Sequence, residues 1–399
     1  MLSHARPLPQ DERRLADALD LVLATDIVAP LDLPPWTNSA MDGFACRTAD
    51  IRSGAELRVV ETIVAGRFPT RAIAAGEATR LFTGAPLPSG ADCVIRQEDA
   101  TLDGDRVRIH DIRDAGKNTR RAGEDVRKGE TVLRAGTVLG PAQLALLASL
   151  AHEPVTVHRP PVVAYLASGD ELATLEDKEA ILTGRKIANS NATALDGLIR
   201  SCGAVPRSLG LAADTRESLR EHLRGAEDAD VLVTTAGVSV GEHDLVREVL
   251  GEMGYDVLVS RVRLRPGGPL VYGIRAGRPW IGLPGNPVST MVTFELFARP
   301  LIRRLLGHPL PFRRTIPVVT EEDIVLGPRL QHFLRVVLTR DAAVPRARLT
   351  GPQGSGILSS MVRADALLIV PEDQPRVPAG ATLSALVLDD PVHVAEPGF

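Results

Sequence analysis

The sequence predicts a multidomain α/β plus β protein: a central parallel-sheet α/β domain with helices on both faces, a mostly β module inserted ahead of it and a terminal β domain behind it. Three observations carry that prediction. Between Pro161 and residue 306 apolar runs alternate with helical patterns at 193–202, 215–224, 245–253 and 288–306, the signature of parallel strands joined by crossover helices. From Ala55 to about Leu139 short Val, Ile and Leu runs are punctuated by Gly turns. After Pro309 and Pro311 the same punctuation returns and runs to Val394.

Taken in order, residues 11–24 place Leu15, Leu19, Leu21, Val22 and Leu23 at mostly helical spacing, which predicts an amphipathic helix ended by Pro30, Pro34 and Pro35. The β module follows, its turns marked by Ala65-Gly66, Asp103-Gly104, Lys128-Gly129 and Ala135-Gly136. Pro141 opens a helix over 142–150, at the position where a missing N–H costs least. Residues 161–167 then start the α/β region as a buried strand. At 399 residues the chain has room for about two to four domains.

A hydrophobic share of 44% and a charged share of 24% are those of a globular protein, and aromatics at 3% leave packing to Leu, Val, Ile and Ala. A formal net charge of -4 provides no global field to hold nucleic acid or an anionic membrane surface, so any anion site has to be local. Cys46, Cys93 and Cys202 are odd in number and widely spaced, which argues against a disulfide framework or a thiolate zinc site and for a reducing cytoplasm. Nine histidines without His-x-x-x-His spacing leave carboxylates as the ligands of any metal. The longest apolar run, near Ala142 to Ala151, is half a membrane span, and the N-terminus lacks an apolar core segment, so neither membrane insertion nor secretion is expected.

In open α/β sheets ligands gather beyond the carboxyl ends of strands. Residues 230–244 read as a strand, a tight turn around Gly237 and Gly241, and a helix start before Leu245. Glycines there bring backbone N–H groups close to a ligand, and the unpaired N–H groups of a new helix attract an anion, so the turn reads as a phosphate or oxyanion pocket. Gly237-Val238-Ser239-Val240-Gly241 also satisfies G-x-S-x-G, which would make Ser239 a hydrolase nucleophile served by His308, His332 or His393; a plain connection is the third reading. A second turn, Arg265-Pro266-Gly267-Gly268-Pro269, follows Arg261-Val262-Arg263-Leu264. That alternation places Arg261, Arg263 and Arg265 on one strand face, either as a polyanion clamp or as a solvated edge. The third turn, Leu283 to Ser289, is stiffened by Pro284 and Pro287 and opens a helix, where Ser289 either faces an oxyanion or caps the helix.

Further motifs are Asn38-Ser39-Ala40-Met41-Asp42-Gly43-Phe44-Ala45, Thr83-Gly84-Ala85-Pro86, Arg120 with Gly123-Glu124-Asp125, and Ser168-Gly169-Asp170-Glu171-Leu172. Together with the three turns they resemble the molybdopterin molybdenumtransferase family, the bacterial MoeA proteins and the E domain of gephyrin, over essentially the whole chain. The resemblance implies four domains: a segmented helical domain from 1–45 with 136–158, an inserted β domain at 46–135, a molybdopterin-binding α/β domain at 159–308 and a C-terminal β domain at 309–399. It implies a cytoplasmic homodimer whose active sites lie between the α/β domain of one subunit and the other subunit's domains. The implied reaction takes adenylylated molybdopterin and molybdate, releases AMP with Mg²⁺ assistance and leaves molybdenum on the dithiolene. On that reading the glycine turn holds phosphate and no acyl-enzyme is needed.

Such chemistry needs basic groups and N–H donors to neutralise anions, and carboxylates to hold Mg²⁺ and manage protons. By motif position the implied catalytic residues are Asp42, Thr83, Asp125, Glu171, Asp244 and Arg265, with Glu171 and Asp244 on the metal. Gly237, Ser239, Gly241, Arg261, Pro269, Ser289, Arg335 and Ser355 are the implied contacts to the pterin substrate and molybdate, while Asp214 and Arg120 match weaker positions. The implied partners are small anionic substrates, a second copy of the chain, the molybdopterin adenylyltransferase and proteins that mature molybdoenzymes; neither nucleic acid nor a membrane is expected.

The chain departs from the family where Arg261 and Arg265 stand for lysines and Gly268 for a further one, where Ala236 replaces a common glycine, and where Asn189-Ser190-Asn191 replaces a stretch that usually begins with Asp. Arg keeps the charge of Lys but not its compact geometry. These departures leave open a non-catalytic molybdopterin-binding or scaffold paralogue, and tungstate in place of molybdate. Local readings also compete. Asp42 and Asp125 sit in Gly-flanked turns where Asp bonds its own backbone, and Glu171 and Asp244 near helix starts would complement a dipole. Arg335, in His332-Phe333-Leu334-Arg335, would pair locally, and Ser355, between two glycines, would only lend flexibility.

Overall fold

A computed structural model describes residues 1–64, 66–235, 245–327, 329–339 and 344–388. The chain divides into two compact units, one of residues 12–19 and 25–155, the other of residues 1–11, 20–24 and 156–399.

The first unit is built on a six-stranded sheet. Its strands are β1 (Gly43–Cys46), β2 (Glu56–Ile63), β3 (Glu77–Leu81), β4 (Cys93–Arg96), β5 (Ala100–Asp103) and β6 (Arg106–Ile109), in the order β4-β1-β3-β2-β6-β5. Alternation along each strand serves two cores: Phe44, Leu57, Ile95 and Val107 pack on one face, and Ala45, Ile63, Leu81 and Val94 on the other. Cys46 and Cys93, far apart in sequence, stand opposite each other on β1 and β4 as free thiols with their Sγ atoms 3.7 Å apart. Helix α1 (Pro141–Ser149) has its proline at the first turn, as its sequence predicts.

The helix expected over 11–24 does not form. Residues Leu15–Asp17 make a single 3-10 turn, and Asp20 adopts φ 63, a left-handed conformation that ends a right-handed helix. Val22 and Leu23 are wholly buried, and Leu23 bridges to Val157 as a strand residue would. The region expected to be a segmented helical domain therefore holds one α-helix, α1, among the described residues.

The second unit opens with the α/β region. It comprises β7 (Val162–Ser168), α2 (Ser190–Ser201), β8 (Val205–Ala212), α3 (Arg216–Arg224), β9 (Val231–Thr235), α4 (Leu245–Glu252), β10 (Asp256–Val259), β11 (Leu264–Arg265), β12 (Val271–Arg275), β13 (Arg278–Leu283), α5 (Pro287–Thr293) and α6 (Arg299–Leu305). The sheet runs β8-β7-β9-β13-β12-β10. Helices cover both faces as expected: α2 and α6 pack on Val163, Val233 and Ile281, while α3 and α4 pack on Ala164, Leu232 and Trp280. Trp280 is wholly buried, and its indole N–H finds a partner in Thr234 Oγ1 at 3.0 Å.

The sheet is mixed, however, rather than parallel throughout. Strands β8, β7, β9 and β13 are parallel, but β12 runs against β13, and the edge strand β10 runs against β12 in turn. The connection from β12 to β13 is only Ala276-Gly277, both at positive φ (49 and 80), and a two-residue turn returns the chain antiparallel because a parallel crossover needs a dozen residues or so. The single helix expected over 288–306 is likewise interrupted, by a π turn at Phe294–Ala298. Pro300 lacks the N–H that would continue the regular ladder there.

After α6 come β14 (Thr315–Thr320), β15 (Gln331–Thr339), β16 (Arg346–Leu349), β17 (Ala366–Val370) and β18 (Thr382–Val387). They pair in the ring β15-β16-β14-β18-β17, and β17 returns to β15, which closes a five-stranded barrel around Val336, Leu368 and Ala385. The strand pattern expected as far as Val394 is described only to β18, since residues 389–399 lie outside the described residues. Strand β11 joins β15 in parallel, with Arg265 opposite His332, so the 265–269 turn is anchored to the barrel. Among the described residues no helix is long and apolar enough to cross a membrane.

Gly267 sits at φ +109, and a Cβ there would fall 2.2 Å from Thr293 Cγ2 on α5. Gly267→Ala should therefore lose about 2 to 4 kcal/mol through backbone strain and overpacking, read as a lower Tm in thermal denaturation. An unchanged Tm would mean that the turn is not clamped on α5.

Candidate functional site

Two of the cavities in the second unit take their walls from turns that the sequence singled out. The first, of about 580 Å³, lies at the carboxyl ends of β7, β9 and β13, where ligands of open α/β sheets sit, and Ser168, Glu171, Asn191, Thr235, Pro269 and Asn286 line it. The turn at 236–244, with Gly237, Ser239, Gly241 and Asp244, lies outside the described residues. It is framed by the end of β9 and the start of α4, as a strand-turn-helix reading requires.

Glu171 is exposed on this cavity and precedes the two-residue strand Leu172–Ala173, not a helix, so its reading as a dipole partner fails. Gly169, at φ +149, leaves room for its carboxylate: a Cβ at 169 would lie 2.8 Å from Glu171 Oε2. Asp170 and Asp214 tie the neighbouring loops together. The Asp170 N–H donates to the Asp214 carboxylate at 3.4 Å, and the Asp214 N–H returns a bond to that of Asp170 at 3.2 Å.

The second cavity, of about 450 Å³, lies between the β11 turn and the barrel, with Arg265, Pro266, His332, Arg335, Gln353 and Gly354 in its walls. Arg335 is wholly buried. Its Nε donates to Ser360 Oγ at 3.1 Å and its Nη2 to the Gly354 carbonyl at 3.0 Å, while Nη1 has no partner among the described residues. Nor does any described carboxylate lie within ion-pair distance, so the expected local pairing is absent. Desolvation pulls this guanidinium down to about 10, which still leaves it protonated at neutral pH. Gln353 clamps the Arg335 backbone, accepting from its N–H at 2.8 Å and donating to its carbonyl at 3.1 Å.

Ser289 and Ser355 converge on the same place. The Ser355 carbonyl accepts the N–H of Val288 at 3.1 Å, next to Ser289, and Ser355 follows the Gly354 that Arg335 holds. Ser289 is buried in the first turn of α5, but the N-cap is Asn286, which makes no side-chain cap bond, so the capping role of Ser289 is not the observed one. The three-arginine face is also revised. Only Leu264–Arg265 is strand, and Arg263 is drawn to Glu372, with Nη2 to Oε2 at 3.0 Å. Arg265 is exposed on the second cavity, and Arg261 is exposed upstream of the strand.

In the first unit Asp42 and Thr83 form a pair. Asp42 Oδ1 accepts both the N–H and the hydroxyl of Thr83 at 2.7 Å, so this carboxylate does not bond its own turn. The Thr83 N–H, and then its hydroxyl, hold Asp42 below the usual carboxylate range. Because the folded value is depressed, Asp42 stays ionised at neutral pH. Its stabilising bonds are present above the unfolded value of about 3.9 and are lost as pH falls through the folded one. Thr83→Val, which keeps the N–H and removes the hydroxyl, should raise the Asp42 pKa in a carbon-13 carboxyl titration. An unmoved value would assign the whole effect to the backbone. Asp125 belongs to another turn, its N–H bonded to the Leu33 carbonyl at 2.9 Å, and Arg120 lies in the strand Thr119–Arg120 opposite Asn38.

The sequence reading missed Ser360 and Gln353, which hold Arg335, and Asn191. The first two carry no motif of their own, whereas Asn191 stood in a stretch noted only as a departure. Of the histidines a hydrolase would use, His308 is buried against Arg303 at 3.2 Å and pushed down to about 4 by desolvation, and His393 lies outside the described residues.

Turns gathered on a sheet's carboxyl edge, with a buried guanidinium that has no ion-pair partner among the described residues, mark a multidomain α/β protein with a small-molecule site. Residues 1–151 match the MoeA N-terminal region (domain I and II), residues 164–304 a family described as "Probable molybdopterin binding domain", and residues 317–388 the MoeA C-terminal region (domain IV). The chain is 36% identical to molybdopterin molybdenumtransferase 2 of Mycobacterium tuberculosis over 92% of its own length and 93% of that protein's. It is 32% identical to the molybdopterin molybdenumtransferase of Haemophilus influenzae, over 95% of this chain and 94% of that one. The crystal structure of the molybdopterin biosynthesis MoeA protein from Pyrococcus horikoshii superposes with a TM-score of 0.80 at 28% identity, covering 97% of each chain. The chain belongs to the molybdopterin molybdenumtransferase family, transferases of molybdenum cofactor biosynthesis.

Proposed function

We propose that this protein inserts molybdenum from molybdate into adenylylated molybdopterin, with Mg²⁺-dependent release of AMP, as a cytoplasmic homodimer supplied by a molybdopterin adenylyltransferase. The observation that carries the reading is Arg335, wholly buried, with one donor nitrogen unpaired and no carboxylate within ion-pair distance among the described residues. A buried charge without a partner is costly, and an oxyanion such as molybdate supplies both the missing charge and the missing acceptors. Arg265 adds charge on the same cavity, and Ser355 follows Gly354 in its wall with its carbonyl bonded to Val288, next to Ser289. The larger cavity, at the sheet's carboxyl edge, suits the pterin and its phosphates, with Pro269 in its wall, and Gly237, Ser239 and Gly241 are assigned as phosphate contacts from their motif.

Among the described residues no group of three or more His, Cys, Asp or Glu could cage a metal ion. Mg²⁺ uses one or two carboxylates and completes its shell with water and substrate phosphate. The exposed Glu171 would hold it together with Asp244. Bound there, the ion would draw electron density from the phosphoanhydride. Asp42, kept ionised by Thr83, and Asp125 supply further fixed negative charge for moving protons, and Arg261 supports the adenylate. The same reading divides the chain at 1–45 with 136–158, 46–135, 159–308 and 309–399.

Purified protein given adenylylated molybdopterin, Mg²⁺ and molybdate should release AMP in step with cofactor formation. Nucleotide that stays intact at high molybdate would leave a non-catalytic scaffold instead.

A further inference from the structure

Asn191 is the second residue of α2, only 8% exposed, in the wall of the larger cavity. Its Nδ2 donates to the Gly285 carbonyl at 2.7 Å. A carbonyl oxygen only accepts, so this bond fixes which end of the amide is which: nitrogen toward Gly285, oxygen away from it. That oxygen, Oδ1, is buried and has no hydrogen-bond partner among the described residues. An unpaired buried acceptor is a standing cost, which a bound group relieves only by presenting an N–H or O–H.

This requirement runs opposite to the chemistry of the substrate's anionic parts. Phosphate and molybdate oxygens are acceptors and would be repelled by Oδ1, as they would by the carboxylate of Glu171. A rigidly oriented amide oxygen pairs well with the in-plane N–H of a heterocycle, as amides do with base edges. Resting on the molybdopterin reading above, we propose that Asn191 Oδ1 accepts a hydrogen bond from an N–H on a heterocycle of the bound substrate, and so sets that ring's identity and orientation. Two rings of the substrate carry such a donor: the aminopyrimidinone of the pterin and the amino group of the adenine.

Calorimetric binding to the full-length protein separates them. One series compares a free pterin with its N-methylated analogue that lacks the donors, and the other compares AMP with purine riboside monophosphate, which lacks the amino group. Wild type should bind the parent of one series about 10- to 100-fold tighter than its donor-less analogue, because an unpaired buried acceptor rejects the analogue. In Asn191→Leu and Asn191→Ser the ratio should collapse to about one. The series that shows this identifies the ring. A residue that only supports the Gly285 loop would weaken parent and analogue alike and leave the ratio intact, which overturns the proposal, as does equal binding of parent and analogue by wild type in both series. Wild type that binds neither pterin nor AMP would bring down the functional reading, and this assignment with it.

Discussion

Arg335→Met should reduce molybdate-dependent AMP release about 100-fold at subsaturating molybdate, the worth of about 3 kcal/mol of charge-assisted hydrogen bonding. The same variant should keep or raise the thermal stability. Arg335 is buried without a described counter-ion, and exchanging an uncompensated buried charge for an apolar side chain of similar length is neutral or stabilising by about 1 to 4 kcal/mol. Part of that gain is offset because the Gly354 carbonyl loses its donor, whereas the Ser360 hydroxyl keeps its bond to Ile357. Activity that falls while Tm holds is the signature of a charge retained for a ligand. Full activity in Arg335→Met, or a steep loss of Tm, would show instead that the guanidinium serves the barrel. Arg335→Lys is the informative companion: it keeps the charge but cannot reproduce the fork to Ser360 and Gly354, so it should recover only part of the molybdate affinity.

The second large effect is expected at Glu171. Glu171→Gln is isosteric and removes only the charge, so AMP release should slow by about 100- to 1000-fold, with a raised requirement for Mg²⁺ in a metal titration. Folding should not suffer, since the side chain is exposed and the space beside it is left open by Gly169. Unchanged turnover with an unchanged Mg²⁺ titration would remove Glu171 from the site.

Much of the candidate site was legible as residue types, and much less as geometry. The strand-turn-helix frame at 235–245 and the turn that Pro284 and Pro287 stiffen follow from Gly and Pro spacing, which acts within a few residues. The Asp42–Thr83 pair spans 41 positions, and the local rule for an Asp beside a Gly favoured a bond to its own turn. Arg263 looked like a neighbour of Arg265 in a clamp, yet its partner Glu372 lies 109 residues on, in the barrel half of the unit. Leu15, Leu19 and Val22 have helical spacing, but burial of Val22 and Leu23 in an extended segment prevailed over periodicity.

By itself the sequence determined most of the alternation of helices and strands, the family and which residues are candidates for the chemistry. All of these are set by short-range pattern or by motifs read in line. Only the tertiary structure decided that the α/β sheet is mixed, that the last strands close into a barrel, that the segments carrying Ser289, Arg335 and Ser355 meet, and that Arg335 and Asn191 each keep a buried polar atom without a partner among the described residues. The physical reason is that satisfaction of a hydrogen bond or a charge is a property of a residue's whole surroundings. Those surroundings are assembled from segments dozens to hundreds of positions apart.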